Sequence, residues 1–264
     1  MTYDRTMIVI RERSFLELLD LALLVVRDRP VVLGLTALAG TAPFAVFNIW
    51  LTSASESGAG LWILLLLMET PWATAPLTIV LGDLMFGVRP RIGKVLKTLF
   101  VRFPAMILTQ VVVRGALFLV VVGCVWVPTR FTFVNEVLLL ERSLTERSRA
   151  FRTFRRSQDI ARAFEGELFI RWIGQIVLGA TFALCFQNGV ETLGTVLGGG
   201  ELSWEQSGQV DVGDVLFQIG VWIAIAFFAV VHFLSYIDRR IRLEGWEIEL
   251  RLRTVGRALE ERQQ

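Results

Sequence analysis

One histidine and two cysteines in 264 residues leave little from which to build metal or redox chemistry. The lone histidine, His232, cannot by itself make a zinc protease centre or a histidine-rich cation site, each of which needs several ligands. Cys124 and Cys185 fall within apolar runs without paired spacing, so no disulfide framework, metal knuckle or cofactor is expected. No phosphate-cradling glycine loop with a lysine occurs, so ATP-driven work would need another subunit. No serine falls in the middle of an apolar run, which excludes a serine intramembrane protease. Charge is also scarce. Only 20% of residues are charged against 54% hydrophobic, with a mean hydropathy of +0.57. A soluble domain of this length carries more charge than that. Residues 1–13 are polar except for Met7 to Ile10, and no small-residue cleavage site follows. The first long apolar run is therefore expected to act as an uncleaved insertion signal.

Basic residues are missing from particular places. None occurs in 53–60, in 189–213 or in the turn near Gly123. Of the 27, five lie in 1–30, five in 86–103, eight in 142–171 and seven in 238–264, while Arg114 and Arg130 sit inside apolar runs. Lysine and arginine resist translocation, so segments that keep them stay in the cytoplasm. The alternation predicts a multi-pass membrane protein with the N-terminus and the C-terminus both cytoplasmic.

About 20 apolar residues cross the roughly 30 Å hydrocarbon layer. Six segments meet or approach that length: 31–52, 61–86, 103–122, 124–141, 167–188 and 213–237. The third and fourth form one run, which Gly123 divides into a tight hairpin. Trp50, Trp62 and Trp126 fall at the expected outer headgroup level and Trp172 at the inner one. Trp72 and Trp222 do not, and are expected to be packed or lipid-facing. Ala37, Thr41 and Ala45 put small residues on one face of the first span, a signature of close helix packing.

The cytoplasmic segments carry helical periodicity of their own. Ser14 to Glu17 reads as a capping box, and Phe15, Leu18, Leu19, Ala22, Leu23 and Val26 make one face of a helix over 14–26. Over 91–101, Ile92, Val95, Leu96 and Leu99 oppose Lys94 and Lys97. Over 145–163, Ala150, Phe151, Phe154 and Ala161 oppose a crowd of arginines. Such helices lie in the interface, and Lys94, Lys97, Arg147, Arg149, Arg152, Arg155 and Arg156 are the expected contacts to lipid phosphates. An amphipathic helix followed by a helical hairpin then recurs three times, over 13–88, 89–143 and 144–240. The outer segment 189–213 is glycine-rich and acidic (Glu191, Glu201, Glu205, Asp211 and Asp214). Its spacing fits no compact calcium loop, so a solvated outer loop is the expectation.

Four ionisable residues lie deep in apolar runs: Glu69, Arg114, Arg130 and Glu136. A mid-bilayer charge costs about 2.5–3.5 kcal/mol on insertion scales and so faces a partner or water. Counting about 1.5 Å per residue, Glu69 and Arg114 match in depth at roughly 12 and 14 Å, and Arg130 and Glu136 point about 120° apart. A buried cluster of zero formal charge across the second, third and fourth spans is expected. It acts as a structural staple or, alternatively, as a transport pathway, which Pro71 and Pro76 in the second span would favour.

The tail reads Tyr236, Asp238, Arg240, Arg242, Glu244, Gly245, Glu249 and Leu250 in sequence. This resembles the ending of bacterial membrane proteins related to the membrane domain of glycerophosphoryl diester phosphodiesterase. Arg239 stands where an apolar residue is more usual there. Ser14 to Asp20, Arg130, Leu140-Glu141 and Arg156-Ser157 fit the same pattern. The resemblance implies a fold and a location, the bacterial cytoplasmic (inner) membrane. It does not imply the phosphodiesterase reaction, because that chemistry belongs to a separate soluble barrel for which this chain has neither room nor histidines. The tail also makes sense alone: Asp238–Arg242, Arg240–Glu244, Glu247–Arg251 and Glu249–Arg253 are i, i+4 pairs, and Ile241, Ile248, Leu252, Val255 and Leu259 make an apolar stripe.

Together these readings predict an all-α membrane protein with six transmembrane helices and amphipathic interfacial helices on the cytoplasmic side. It is expected to be a single membrane domain over 1–264: a cytoplasmic N-terminal segment 1–30, a six-span bundle 31–237 and a cytoplasmic C-terminal helix 238–264. The expected role is non-enzymatic, scaffolding or regulatory. The expected partners are the lipid bilayer, anionic lipid head groups and a membrane or cytoplasmic protein, with no nucleic acid. The alternative is a small-solute transporter, or a membrane subunit of one, that uses the four intramembrane charges.

Overall fold

The computed structural model describes residues 14–54, 59–85, 90–119, 131–140, 149–162, 165–198 and 212–263. Side chains are described for 14–52, 62–85, 90–110, 131–140, 153–162, 165–197 and 212–241. Among these residues the secondary structure is entirely helical. The helices are α1 (Phe15–Asp28), α2 (Pro30–Ala54), α3 (Ala59–Met85), α4 (Ile92–Leu119), α5 (Val134–Leu140), α6 (Arg149–Arg162), α7 (Glu165–Gly198) and α8 (Val212–Gln263). Four stretches are long and apolar enough to cross a membrane: Pro30–Thr52, Trp62–Met85, Glu165–Leu197 and Val212–Ile241. Large apolar side chains lie exposed along α2 (Leu35, Leu38, Phe47, Trp50) and α7 (Ile176, Val177, Leu193, Val196). In water such ridges would aggregate; in hydrocarbon they are the expected surface. The protein is a membrane-embedded helical bundle.

Helix ends follow local chemistry. Ser14 caps α1, its hydroxyl accepting from the Glu17 amide at 3.3 Å. Pro30 opens α2 at a position where its missing N–H is no loss. Pro43, Pro71, Pro76 and Pro104 all lie inside helices, which membrane helices tolerate when neighbours satisfy the freed groups.

Several expected boundaries are absent. The segment 91–101 and the start of the third span form one helix, α4, because no glycine or proline separates them and Pro104 does not end it. The last span runs without interruption into the charged tail, giving a 52-residue α8. α7 continues to Gly198, so the first ten residues of the expected outer loop are helical, with Gln187 donating to Glu191 one turn on. Of the fourth expected span, 124–130 lies outside the described residues, as do Cys124, Trp126 and the turn at Gly123.

The amphipathic stripes are corrected in detail. On α1, Leu18 and Ala22 are buried, but Leu23 is exposed together with Leu16 and Leu24. On α4, Val95 is buried and Leu99 packs on the core, while Ile92 and Leu96 are exposed, in a ridge that continues through Phe100, Phe103 and Ile107. On α6, Ala161 of the expected stripe is buried together with Thr153, Ser157 and Ile160, while the side chains of Ala150 and Phe151 lie outside those described. Phe154 instead meets Phe131 edge-on, with ring centroids 5.5 Å apart. α1 and α6 are therefore docked on the bundle, each with a second face left outside.

α8 is the hub. It packs on α7, α3, α1 and α2, and from Ala229 to Ile237 every residue except His232 is buried. Lipid tails are as apolar as leucine, so close backbone packing has to hold these contacts. Small residues supply it. A Cβ on Gly40 would collide with the Ala73 carbonyl oxygen, and one on Gly220 would sit 2.9 Å from the Ala183 Cα. Thr41 is buried beside Gly40, on the small-residue face expected for the first span.

Candidate functional site

A core of aliphatic residues surrounds the lower half of α8, and polar side chains reach into it from four neighbours. They form three groups along α8. Two are separated by about one turn, and the third lies roughly 20 Å nearer the start of that helix.

The first group is at the end of the bundle where α7 begins. Glu167 lies in the first turn of α7, and Arg171 follows one turn later. Ser235 and Arg239 are likewise one turn apart on α8. Glu167 accepts from Arg171 Nη2 at 2.5 Å and from Arg239 Nη2 at 2.6 Å. Arg171 Nη1 donates to Ser235 Oγ at 2.7 Å. Arg239 is fully buried and Arg171 nearly so, whereas the Glu167 carboxylate is 43% exposed. Guanidinium suits such a place because its planar fork is weakly hydrated and bonds in several directions at once.

One turn back on α8, His232 Nδ1 lies 2.7 Å from Glu136 Oε1 on α5. Phe133 packs its ring against His232 at 5.3 Å and against the fully buried Tyr236 at 5.8 Å. α5 is held from its other side as well. Arg102 donates to the Leu138 carbonyl, one of the last-turn carbonyls that a helix leaves open. Gln110 donates to Asn135 at 2.6 Å, and Asn135 reaches the Pro71 carbonyl at 3.5 Å, next to the two prolines of α3.

The third group joins α2, α3 and the start of α8. Asn48 donates to Glu69 Oε2 at 2.9 Å, and Gln218 donates to Thr52 Oγ1 at 3.2 Å. Phe44 stacks on the buried Trp222 one turn deeper, and Trp62 lies against Phe217. Both aromatic pairs close this end of the interhelical space.

Of the four expected intramembrane charges, the structure describes the side chains of Glu69 and Glu136. Glu69 is partnered by Asn48 and Glu136 by His232. Arg130 lies outside the described residues, and Arg114 is on α4 beyond its described side chains. Among the expected lipid contacts, Lys97 and Arg155 are exposed and Arg156 is half-buried, while Lys94 is bound to Asp83 at 2.5 Å. Arg147 lies outside the described residues, and the side chains of Arg149 and Arg152 lie outside those described. In the tail, Tyr236 is buried, and Asp238 and Arg240 are half-buried. Arg242, Glu244 and Gly245 continue α8 beyond its described side chains. Trp72 meets Phe103 edge-on at 5.1 Å and Trp222 is buried, so both are packed.

Glu167, Arg171, Ser235, Arg239, Asn48 and Gln218 were not singled out as site residues from the sequence, although Arg239 stood out as a departure from the tail pattern. A signal existed for the first four. Two one-turn pairs, Glu167/Arg171 and Ser235/Arg239, fall at the same expected membrane boundary. Among the described residues no group of three or more His, Cys, Asp or Glu side chains is placed to hold a metal ion. Comparison of the chain with protein-family models, curated proteins and solved structures returns no match.

Proposed function

We propose that this chain is a non-enzymatic scaffolding or regulatory protein of the bacterial cytoplasmic membrane, with six spans, both termini cytoplasmic, and anionic lipids and a partner protein as its ligands. The observation that carries this reading is α8. A helix of 52 residues is about 78 Å long, more than twice the hydrocarbon thickness, so it must leave the membrane. The same helix bears the buried Ser235, Tyr236 and Arg239 at its middle and the charged 242–263 segment at its end. A ligand on the tail therefore acts on a rigid element that is continuous with the core. The repeat of amphipathic helix and hairpin belongs to this proposal; α1 before α2–α3 and α6 before α7–α8 support it. So does kinship with the phosphodiesterase-associated membrane domains, for which the burial of Tyr236 gives the tail motif a structural reason.

The test is a truncation after Glu244. Its detergent melting temperature should match that of the full chain, while a partner isolated with the full chain is lost. A charge-reversed tail of the same length should lose that partner too. Retention of every partner by both variants would remove the scaffolding reading.

A second reading, a small-solute transporter or a membrane subunit of one, is favoured by the ionisable Glu69 and Glu136 within the bundle and by the two prolines of α3. Flux into sealed proteoliposomes discriminates it from the first.

A further inference from the structure

The group between α2, α3 and α8 has acceptors to spare, and the hydrogen-bond network fixes which atoms they are. Thr52 Oγ1 donates its only proton to the Asn48 backbone carbonyl at 2.8 Å, shared with Ile49 O at 3.1 Å. Toward Gln218 it is then an acceptor only. The Gln218 amide must therefore present its nitrogen to Thr52, which leaves Oε1 over. Asn48 faces the Glu69 carboxylate, where an amide oxygen would be repelled. Its nitrogen is fixed there, and Oδ1 is left over. Both oxygens are buried and without a donor, in residues that are 0% and 7% exposed. Trp222 Nε1, one turn along α8 from Gln218, makes no hydrogen bond to either oxygen. A buried acceptor left without a donor is costly, and these two, one of them on the residue that bonds the Glu69 carboxylate and the other one helix away on α8, call for a ligand that supplies positive charge.

We propose that the interhelical space between α2, α3 and α8 binds one small monovalent cation of the alkali class, through the Glu69 carboxylate, Asn48 Oδ1 and Gln218 Oε1. Oxygen-only donors suit hard ions and disfavour the transition metals. A single carboxylate balances a single positive charge, whereas calcium takes six to eight oxygens, usually with several carboxylates. The packed Phe44–Trp222 pair forms the floor. Asn48 and Gln218 lie about two turns from the end of α2 and the start of α8, so the site sits near the end of the bundle where those helices meet. This site stands on the hydrogen-bond geometry alone and is independent of the scaffolding proposal.

The experiment uses the purified full chain in detergent at constant ionic strength. Sodium, lithium or potassium chloride replaces N-methyl-D-glucamine chloride stepwise, with melting temperature as one readout and retention of radioactive sodium as the other. At least one alkali ion should raise the melting temperature saturably, by about 5 °C. Where sodium is the preferred ion, about one should be retained per chain. Glu69→Gln and Gln218→Leu should each abolish the response, while Gln187→Leu, in a polar contact elsewhere on α7, should keep it. Identical melting in all salts overturns the proposal, as does a rise that survives in both site variants. If either site variant fails to fold, the titration of the unaltered chain decides. Melting that follows pH but no alkali ion would overturn it in favour of a proton on Glu69.

Discussion

Arg239 is fully buried yet charged, and it shares one carboxylate with Arg171. Removing one member of a buried ion pair costs about 3–5 kcal/mol; the half-exposed Glu167 brings this down to on the order of 2–3 kcal/mol here. Arg239→Met should therefore lower the detergent melting temperature clearly. Glu167→Gln should do the same, and the double variant should lose less than the sum of the two. Full additivity in that cycle would mean the pair is not coupled. At this scale the sequence was partly legible. Glu69 and Glu136 stood out because a carboxylate in an apolar run is costly wherever it points. Their pairing with Asn48 and His232 was not legible, because a sequence reveals nothing of the neighbouring helix that such a side chain faces. Arg171 and Arg239 were hidden for the opposite reason. They sit where topology already expects arginine, so their burial left no mark on the sequence.

Helices meet at a few small residues, and those positions carry the next prediction. Gly40→Ala should destabilise by about 1–3 kcal/mol, because its methyl meets the Ala73 backbone where α2 crosses α3. Gly220→Ala should behave alike against Ala183. Gly34→Ala, with nothing within 4 Å, should be tolerated. Equal melting of all three variants would contradict the close crossings. On α6, Arg155 and Arg162 are exposed while Thr153 and Ser157 are buried. Substituting both arginines by glutamine should reduce the anionic lipid retained by the purified protein, measured by native mass spectrometry, and leave its melting temperature within a few degrees. Unchanged lipid retention would remove the interfacial role of this helix. The capped start of α1 was legible in Ser14 and Glu17, since capping chemistry is local. The continuity of α4 and α8 was not. A change from amphipathic to uniformly apolar composition looks like a boundary, but α4 continues through Pro104 at the loss of one backbone bond, and 236–244 contains neither glycine nor proline.

The bundle as a whole is tight at one end and sparse at the other. Leu18, Leu81, Val137 and Ile160 bring four helices together against Tyr236 of α8, whereas the far half of α7 is largely exposed from Leu184 onward. The tight end coincides with the arginine-rich segments. α1 and α6 dock on the core at that end. The membrane-embedded, all-helical character was plain in the composition. The number of crossings rests on where the basic residues fall. That arrangement is tested most directly by single cysteines placed at Ser203 and at Gln263, with Cys124 and Cys185 replaced by alanine, and probed in intact spheroplasts by a membrane-impermeant maleimide. Six crossings with both termini inside predict that the cysteine at 203 is labelled at once and the one at 263 only after the membrane is opened. Labelling of position 263 in sealed cells, or protection of 203 until lysis, would contradict it.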